Sequence, residues 1–214
     1  MKIKISTKIS ILVIILIVVS LTIGIYGIYS IKNVNESVNT MYIDRVLPLA
    51  QLKKVSDAYA VQIVEVSQKL EKGIIDKQSA LSDLKEASEI VTKNWNDYMS
   101  TTLTKEEEQI ANQAIELRQA SKTAYEKLVQ IISSSEDSTL IKELSRFNTE
   151  ELYQAIDPFT AKIDQLIKLQ LDVSSDIHEE SDKVYNNART LTIVINYWIN
   201  YWNTYSLIHH NKYQ

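Results

Sequence analysis

The chain of 214 residues contains no Cys, 3 Gly and 2 Pro. Disulfides, thiolate chemistry and Cys-ligated zinc are therefore excluded, and a many-stranded sheet lacks its turn residues. A net charge of −4 and a pI near 5.5 argue against a nucleic-acid binder. The charge is unevenly placed, since all 27 acidic residues and 19 of the 23 basic ones lie between Lys32 and Arg189.

From Ile9 to Ile31 no charged residue occurs, and Ile, Leu and Val dominate. As a helix this stretch spans about 34 Å, enough for a hydrocarbon core of roughly 30 Å. Its few hydroxyl residues, among them Ser10, Ser20 and Thr22, can bond back to their own helix. Lys2, Lys4 and Lys8 precede it, so the positive-inside rule keeps the N-terminus cytoplasmic and places the residues after the span outside. Tyr26 and Tyr29 fall where an outer aromatic belt belongs. A cleaved signal peptide is the alternative, but signal h-regions are shorter and end in small residues; Gly27 to Ile31 has no such pattern.

Residues 32–190 carry helical periodicity. The first stripe is Leu52, Val55, Tyr59, Ile63, Val66 and Leu70, ending at Gly73 as a C-terminal cap. Asp76 caps a second helix with Leu81, Leu84, Ala87, Val91, Trp95 and Tyr98 on one face. Thr104-Lys-Glu-Glu107 reads as a capping box for a third helix, with Ile110, Ala114, Leu117, Ser121, Ala124, Leu128 and Ile131 inward. Ser133 to Ser138 reads as a loop, followed by a short helical piece from Thr139 to Phe147. Asn148-Thr-Glu-Glu151 then reads as a second capping box, opening a long fourth helix through Leu152, Ile156, Phe159, Ile163, Leu166 and Val173. Pro48 and Pro158 are predicted to bend the first and fourth helices or mark their starts. Four stripes of mixed 3 and 4 spacing predict one shared core. The fold class is all-α, a transmembrane helix plus an up-down antiparallel four-helix bundle.

Catalysis is not arguable. His178 stands alone among acids, His209 and His210 lie in the tail, and no serine sits in a strained turn beside a base. With 3 Gly there is no phosphate-cradling loop. No cofactor or metal is implied, and the chain is read as not an enzyme.

The segment Met41-Tyr-Ile-Asp-Arg-Val-Leu-Pro-Leu-Ala-Gln-Leu-Lys-Lys-Val-Ser-Asp-Ala-Tyr-Ala60 resembles the opening of the four-helix-bundle sensory domain of methyl-accepting chemotaxis proteins. Trp95-Asn-Asp-Tyr98, Leu103-Thr-Lys-Glu-Glu107, Leu152-Tyr-Gln-Ala-Ile-Asp-Pro-Phe159 and Leu166-Ile-Lys-Leu-Gln170 extend it, in order, over about residues 1–190. The resemblance implies a receptor of the inner or plasma membrane, paired as a homodimer. It also implies a small ligand, an organic acid or amino acid, bound outside the cell and relayed by helix displacement. On physical grounds an anionic ligand would want a base beside aromatics: Arg118, Lys122 and Tyr125 on the third helix, with Tyr59, Trp95 and Tyr98 completing the face. The commoner arrangement puts such aromatics in the core and the bases in solvent, and the ligand face is the alternative to it. Arg45 beside Asp44 and Pro48 is read as a membrane-proximal structural element.

The domain reading is an N-terminus with its span over 1–31, an extracytoplasmic sensor over 32–190, and a degenerate or truncated second membrane segment over 191–214. Leu191 to Ile208 is uncharged, but Asn196, Asn200 and Asn203 share one face and five Tyr and Trp residues crowd it. Two accounts compete: asparagines bonded across a helix dimer, or a changed reading frame near Asn196 that leaves a non-native tail. On either account, coupling to a chemotaxis kinase needs a cytoplasmic signalling region supplied elsewhere. Two rival readings are the sensor of another membrane signalling protein, such as a histidine kinase, and an anchored helical interaction protein with no small ligand.

Overall fold

The computed structural model describes residues 5–210, which are helical apart from short turns, with no strand among them. Seven α-helices follow one another: α1 Ile5–Met41, α2 Leu47–Asp57, α3 Val64–Glu71, α4 Lys77–Met99, α5 Lys105–Ser134, α6 Asp137–Phe147 and α7 Tyr153–His210. Three π-helical turns join consecutive helices without a break, at Tyr42–Val46, Ala58–Ile63 and Asn148–Leu152. The chain divides into two compact units, one being Met41–Ser174 and the other the chain before and after it.

The Met41–Ser174 unit is a four-limbed bundle. Its first limb is α2 and α3 with their π-turns, its second α4, its third α5, and its fourth α6 running through the last π-turn into α7. Apolar stripes put one face of every limb into a common core, where Leu52, Leu84, Leu128, Phe159 and Ile163 are fully buried. The limbs stop where the caps dictate. Gly73 takes a φ of 68°, a conformation that disfavours side chains with a Cβ. There the Ile74 N–H donates to Lys69 O at 2.8 Å and the Gly73 N–H to Leu70 O at 3.0 Å, closing a Schellman turn. The Asp76 carboxylate accepts from the Ser79 N–H at 2.7 Å, and these cap bonds hold its pKa below the usual carboxylate range. The predicted box at Thr104 is complete: the Glu107 N–H donates to Thr104 Oγ1 at 3.2 Å, and the Thr104 N–H to Glu107 Oε2 at 2.6 Å.

Several details differ from the sequence reading. The third limb buries Ala111 and Ile132, leaving Ile110, Leu117 and Ile131 at the margin, because the core takes the smaller side chain where α5 approaches its neighbours. The Ser133–Ser138 loop shrinks to Ser135 and Glu136, since the Ser133 and Ser134 hydroxyls donate back to Val129 O and Gln130 O, at 2.7 Å each, and prolong the helix. No capping box forms at Asn148, and the chain passes from α6 into α7 through a π-turn. The Asn148 side chain is buried instead, accepting from the Ser67 hydroxyl at 2.7 Å and donating to Glu71 at 2.8 Å. Pro48 stands in the first turn of α2, in keeping with its reading as a helix start, whereas Pro158 marks no start. Pro48 follows directly on the first π-turn, a geometry that accommodates its missing N–H and its ring against the preceding carbonyl. Pro158 lies inside α7, shortly after the third π-turn.

In the other unit, α1 is long and apolar enough to cross a membrane, and it lies near the N-terminus. Ile14, Leu21, Ile25 and Ile28 are exposed on it, as lipid-facing residues would be, and the Thr22 hydroxyl donates back to Val18 O at 2.8 Å. Lys2 and Lys4 lie outside the described residues, as do the last residues of the predicted tail, 211–214. At the far end of α7, Tyr197, Trp198, Tyr201 and Trp202 are exposed, and the Asn196 amide donates to Thr192 O of its own helix at 2.9 Å.

Two substitutions rank these contributions. Phe159→Ala empties the centre of the bundle and should lower its stability by about 3–5 kcal/mol. Thr104→Ala removes one cap bond and should cost about 1 kcal/mol. Urea unfolding of the full chain in detergent, followed by far-UV circular dichroism, reads both.

Candidate functional site

The core of the bundle holds an aromatic cluster that reaches across three limbs. Tyr59 from the second π-turn meets Phe159 of α7 edge-on at 5.1 Å, and Trp95 of α4 meets Phe159 at 5.8 Å and Tyr98 at 5.8 Å. The third limb contributes no ring here. It contributes Arg118, whose guanidinium carbon stands 5.8 Å over the Trp95 ring. A cation over an indole face is attracted by the ring quadrupole, so Arg118 is held at the edge of the core, with its guanidinium also beside the Tyr59 hydroxyl.

Above this cluster lies a cleft of about 470 Å³, bordered by the second π-turn, α4 and α5. Tyr59 and Val91 form its floor, Ser88 and Thr92 one wall, and Arg118 and Lys122 the other. Burial raises the Tyr59 pKa, and the neighbouring Arg118 charge partly offsets the rise. The Tyr59 hydroxyl is therefore a neutral donor at physiological pH. Lys122 is mostly exposed and lies 3.8 Å from Glu126 on the same helix, an ion pair that a ligand can replace at little cost. Two cations, a tyrosine hydroxyl and two aliphatic hydroxyls thus converge on one apolar floor. This arrangement suits a small anion with a flat or apolar body.

Of the six residues singled out from the sequence, Tyr59, Arg118, Lys122 and Tyr125 line the cleft together. Trp95 lies under Arg118, in contact with it but not on the lining. Tyr98 does not line the cleft. It is fully buried, and its ring carries on from Trp95 toward the end of the bundle at which the chain enters and leaves. Ser88, Thr92 and Glu126 were not singled out, because on outer helix faces they look like ordinary solvated residues.

Sequence reasoning also missed a second polar centre. Arg45 donates from Nη1 to both Glu107 oxygens, at 3.1 and 3.2 Å, and to Gln170 Oε1 at 3.3 Å. The Gln170 amide donates to Glu107 Oε1 in turn. All are buried, Glu107 and Gln170 to 1% exposure and Arg45 to 9%. The signal was present. Arg45 falls in register with Pro48, Leu52 and Val55, Glu107 with Ala111 and Ala114, and Gln170 with Ile163 and Leu166. Charged or amide side chains on an apolar stripe are buried polar groups and require partners.

Residues 2–185 match the family described as the four helix bundle sensory module for signal transduction. The chain is also similar to the methyl-accepting chemotaxis protein NahY of Pseudomonas putida, with 27% identity over 175 residues, which are 82% of this chain and 32% of that relative. The chain thus spans about a third of the length of the curated relative it matches. No solved structure matches it. With four limbs around one core and a single family matched along nearly the whole chain, the protein belongs to the four-helix-bundle sensory modules of signal transduction.

Proposed function

We propose that this chain is the sensing part of a membrane chemoreceptor and that it binds a small organic acid or amino acid in the cleft above Trp95. The observation that carries the reading is the convergence of Arg118, Lys122 and the Tyr59 hydroxyl on one apolar floor within a bundle of this family. The ligand carboxylate pairs with the Arg118 fork and with Lys122 once Lys122 leaves Glu126. Its body rests on Tyr59 and Val91, against Tyr125. No bond is made or broken; the chemistry is recognition alone.

The lysines before α1 hold the N-terminus in the cytoplasm, so the sensor faces outward and the receptor resides in the inner or plasma membrane. A second copy completes the receptor. The first limb leaves Tyr42, Ile43, Val46 and Leu47 exposed over one short run, and such a run is covered when two bundles pair. Ligand binding biases a displacement of about 1–2 Å between helices, carried by a coupling of roughly 1–3 kcal/mol. Residues 191–208 are the degenerate or truncated counterpart of a second membrane segment, and kinase coupling belongs to a cytoplasmic signalling region of the receptor.

A thermal-shift screen of organic and amino acids against the full chain in detergent tests the site. A ligand at 100 times its Kd should stabilise the bundle by roughly 2.7 kcal/mol. Arg118→Ala with Lys122→Ala should abolish that shift, while loss of the Arg118–Trp95 contact should lower the stability of the unliganded bundle by only about 0.5–1 kcal/mol. A flat screen favours the anchored interaction protein instead.

Topology is tested separately. The chain has no Cys, so a single Cys at position 138, at the tip opposite the chain's entry, should react with a membrane-impermeant maleimide on intact cells. Labelling only after lysis contradicts the outward orientation.

A further inference from the structure

The charges that line the cleft do not balance. Among the described residues around it Arg118 and Lys122 are cationic, Glu126 is anionic, and the remaining lining groups are neutral. Two cations less one anion leave an excess of one positive charge. The lysines of α4 on either side of Ser88 and Thr92 add nothing to it. Lys85 pairs with Glu89 at 3.9 Å and Lys93 with Asp97 at 2.6 Å, and neither lines the cleft. The Ser88 and Thr92 hydroxyls can orient a carboxylate, but they cannot neutralise it.

The two cations are held differently. Arg118 is fixed, with its guanidinium 5.8 Å over the Trp95 ring and beside the Tyr59 hydroxyl. Lys122 stands one turn further along α5 with its side chain 62% exposed, and Glu126 one turn beyond it is 60% exposed. Their ion pair is loose, at 3.8 Å. Such an exposed pair holds its members weakly, so a ligand carboxylate draws Lys122 away from it. A monocarboxylate then brings the cleft to neutrality. A dicarboxylate overshoots by one charge. Its second carboxylate and Glu126 compete for Lys122, and one of the two is left without a cation. Like charges a few ångströms apart repel, and more strongly as the ligand displaces water.

We propose that Glu126 is the specificity-determining residue of the cleft, restricting it to acids and amino acids with one carboxylate and turning dicarboxylates away. The inference rests on the reading of the cleft as an anion site and narrows the class of ligand that the site takes. An α-ammonium group meets no such barrier, because Glu126 can pair with it. Without Glu126 the cleft becomes a site for diacids, with Arg118 and Lys122 each holding one carboxylate. Glu126→Gln produces that cleft with almost no change of shape.

Thermal-shift titrations of the full chain in detergent test the proposal with matched acids, butyrate against succinate and benzoate against phthalate. They extend to the mono- and dicarboxylate forms of any acid that stabilises the chain in the wider screen. In each pair that gives a shift, the monocarboxylate should bind the native chain more tightly. Glu126→Gln should narrow that gap by about fivefold, the scale of an exposed ion pair. Glu126→Asp keeps the charge and should preserve the gap. Because the side chain is exposed, both variants should melt as the native chain does without ligand. A dicarboxylate that binds the native chain as tightly as its matched acid overturns the proposal, as does a gap that Glu126→Gln leaves unchanged. Either result leaves the cleft an anion site. If no acid of any kind shifts the melting temperature of either chain, the anion-site reading fails, and the role of Glu126 falls with it.

Discussion

The contact on which the bundle turns is the stack of Arg118, Trp95 and Phe159, with Tyr59 against the same phenylalanine. It is the place where all four limbs meet. The third limb is able to take part because it is lined with small residues, Ala111, Ala114, Ser121 and Ala124. These bring its backbone close enough for the Ser121 hydroxyl to donate to Ala155 O at 2.7 Å. A large side chain at those positions would hold α5 away and leave Arg118 in solvent. The cleft floor is consequently the core itself, so whatever fills the cleft acts on the packing that holds the limbs together.

The three π-helical turns share a second constraint. Each sits where a limb presents a polar group to the interior: Arg45 in the first, Tyr59 in the second and Asn148 in the third. One extra residue in a turn rotates the following stripe, so a single limb can serve two register requirements. The cost is a locally weaker hydrogen-bond ladder, and each buried polar contact offsets part of it.

Much of this was legible in the sequence. The stripe from Leu52 to Leu70, the caps at Gly73, Asp76 and Thr104, and the apolar helix after Lys8 follow from spacing and local chemistry. Those signals act within a few residues. The errors arose where tertiary partners decided the outcome. Asn148 looked like a cap because Glu151 follows it, but Ser67 and Glu71, distant in sequence, claim its side chain. Arg118, Lys122 and Tyr125 share a helix face, so their convergence with Tyr59 was readable. Tyr98 shares their type and its stripe along α4, and the structure puts it beside Gln170 and off the cleft lining. The pairing of Arg45 with Glu107 was not assigned at all, although both break apolar stripes, because a stripe shows that a partner is needed without naming it.

If the cleft takes its ligand against the aromatic floor, Trp95 must sense the occupant. It does so directly in a chain carrying Trp198→Phe and Trp202→Phe, where it is the remaining indole. An organic acid that binds in the cleft should change Trp95 emission saturably, and Arg118→Ala should remove the change. Trp95 emission that stays constant while the same compound raises the melting temperature would place binding elsewhere and contradict the account.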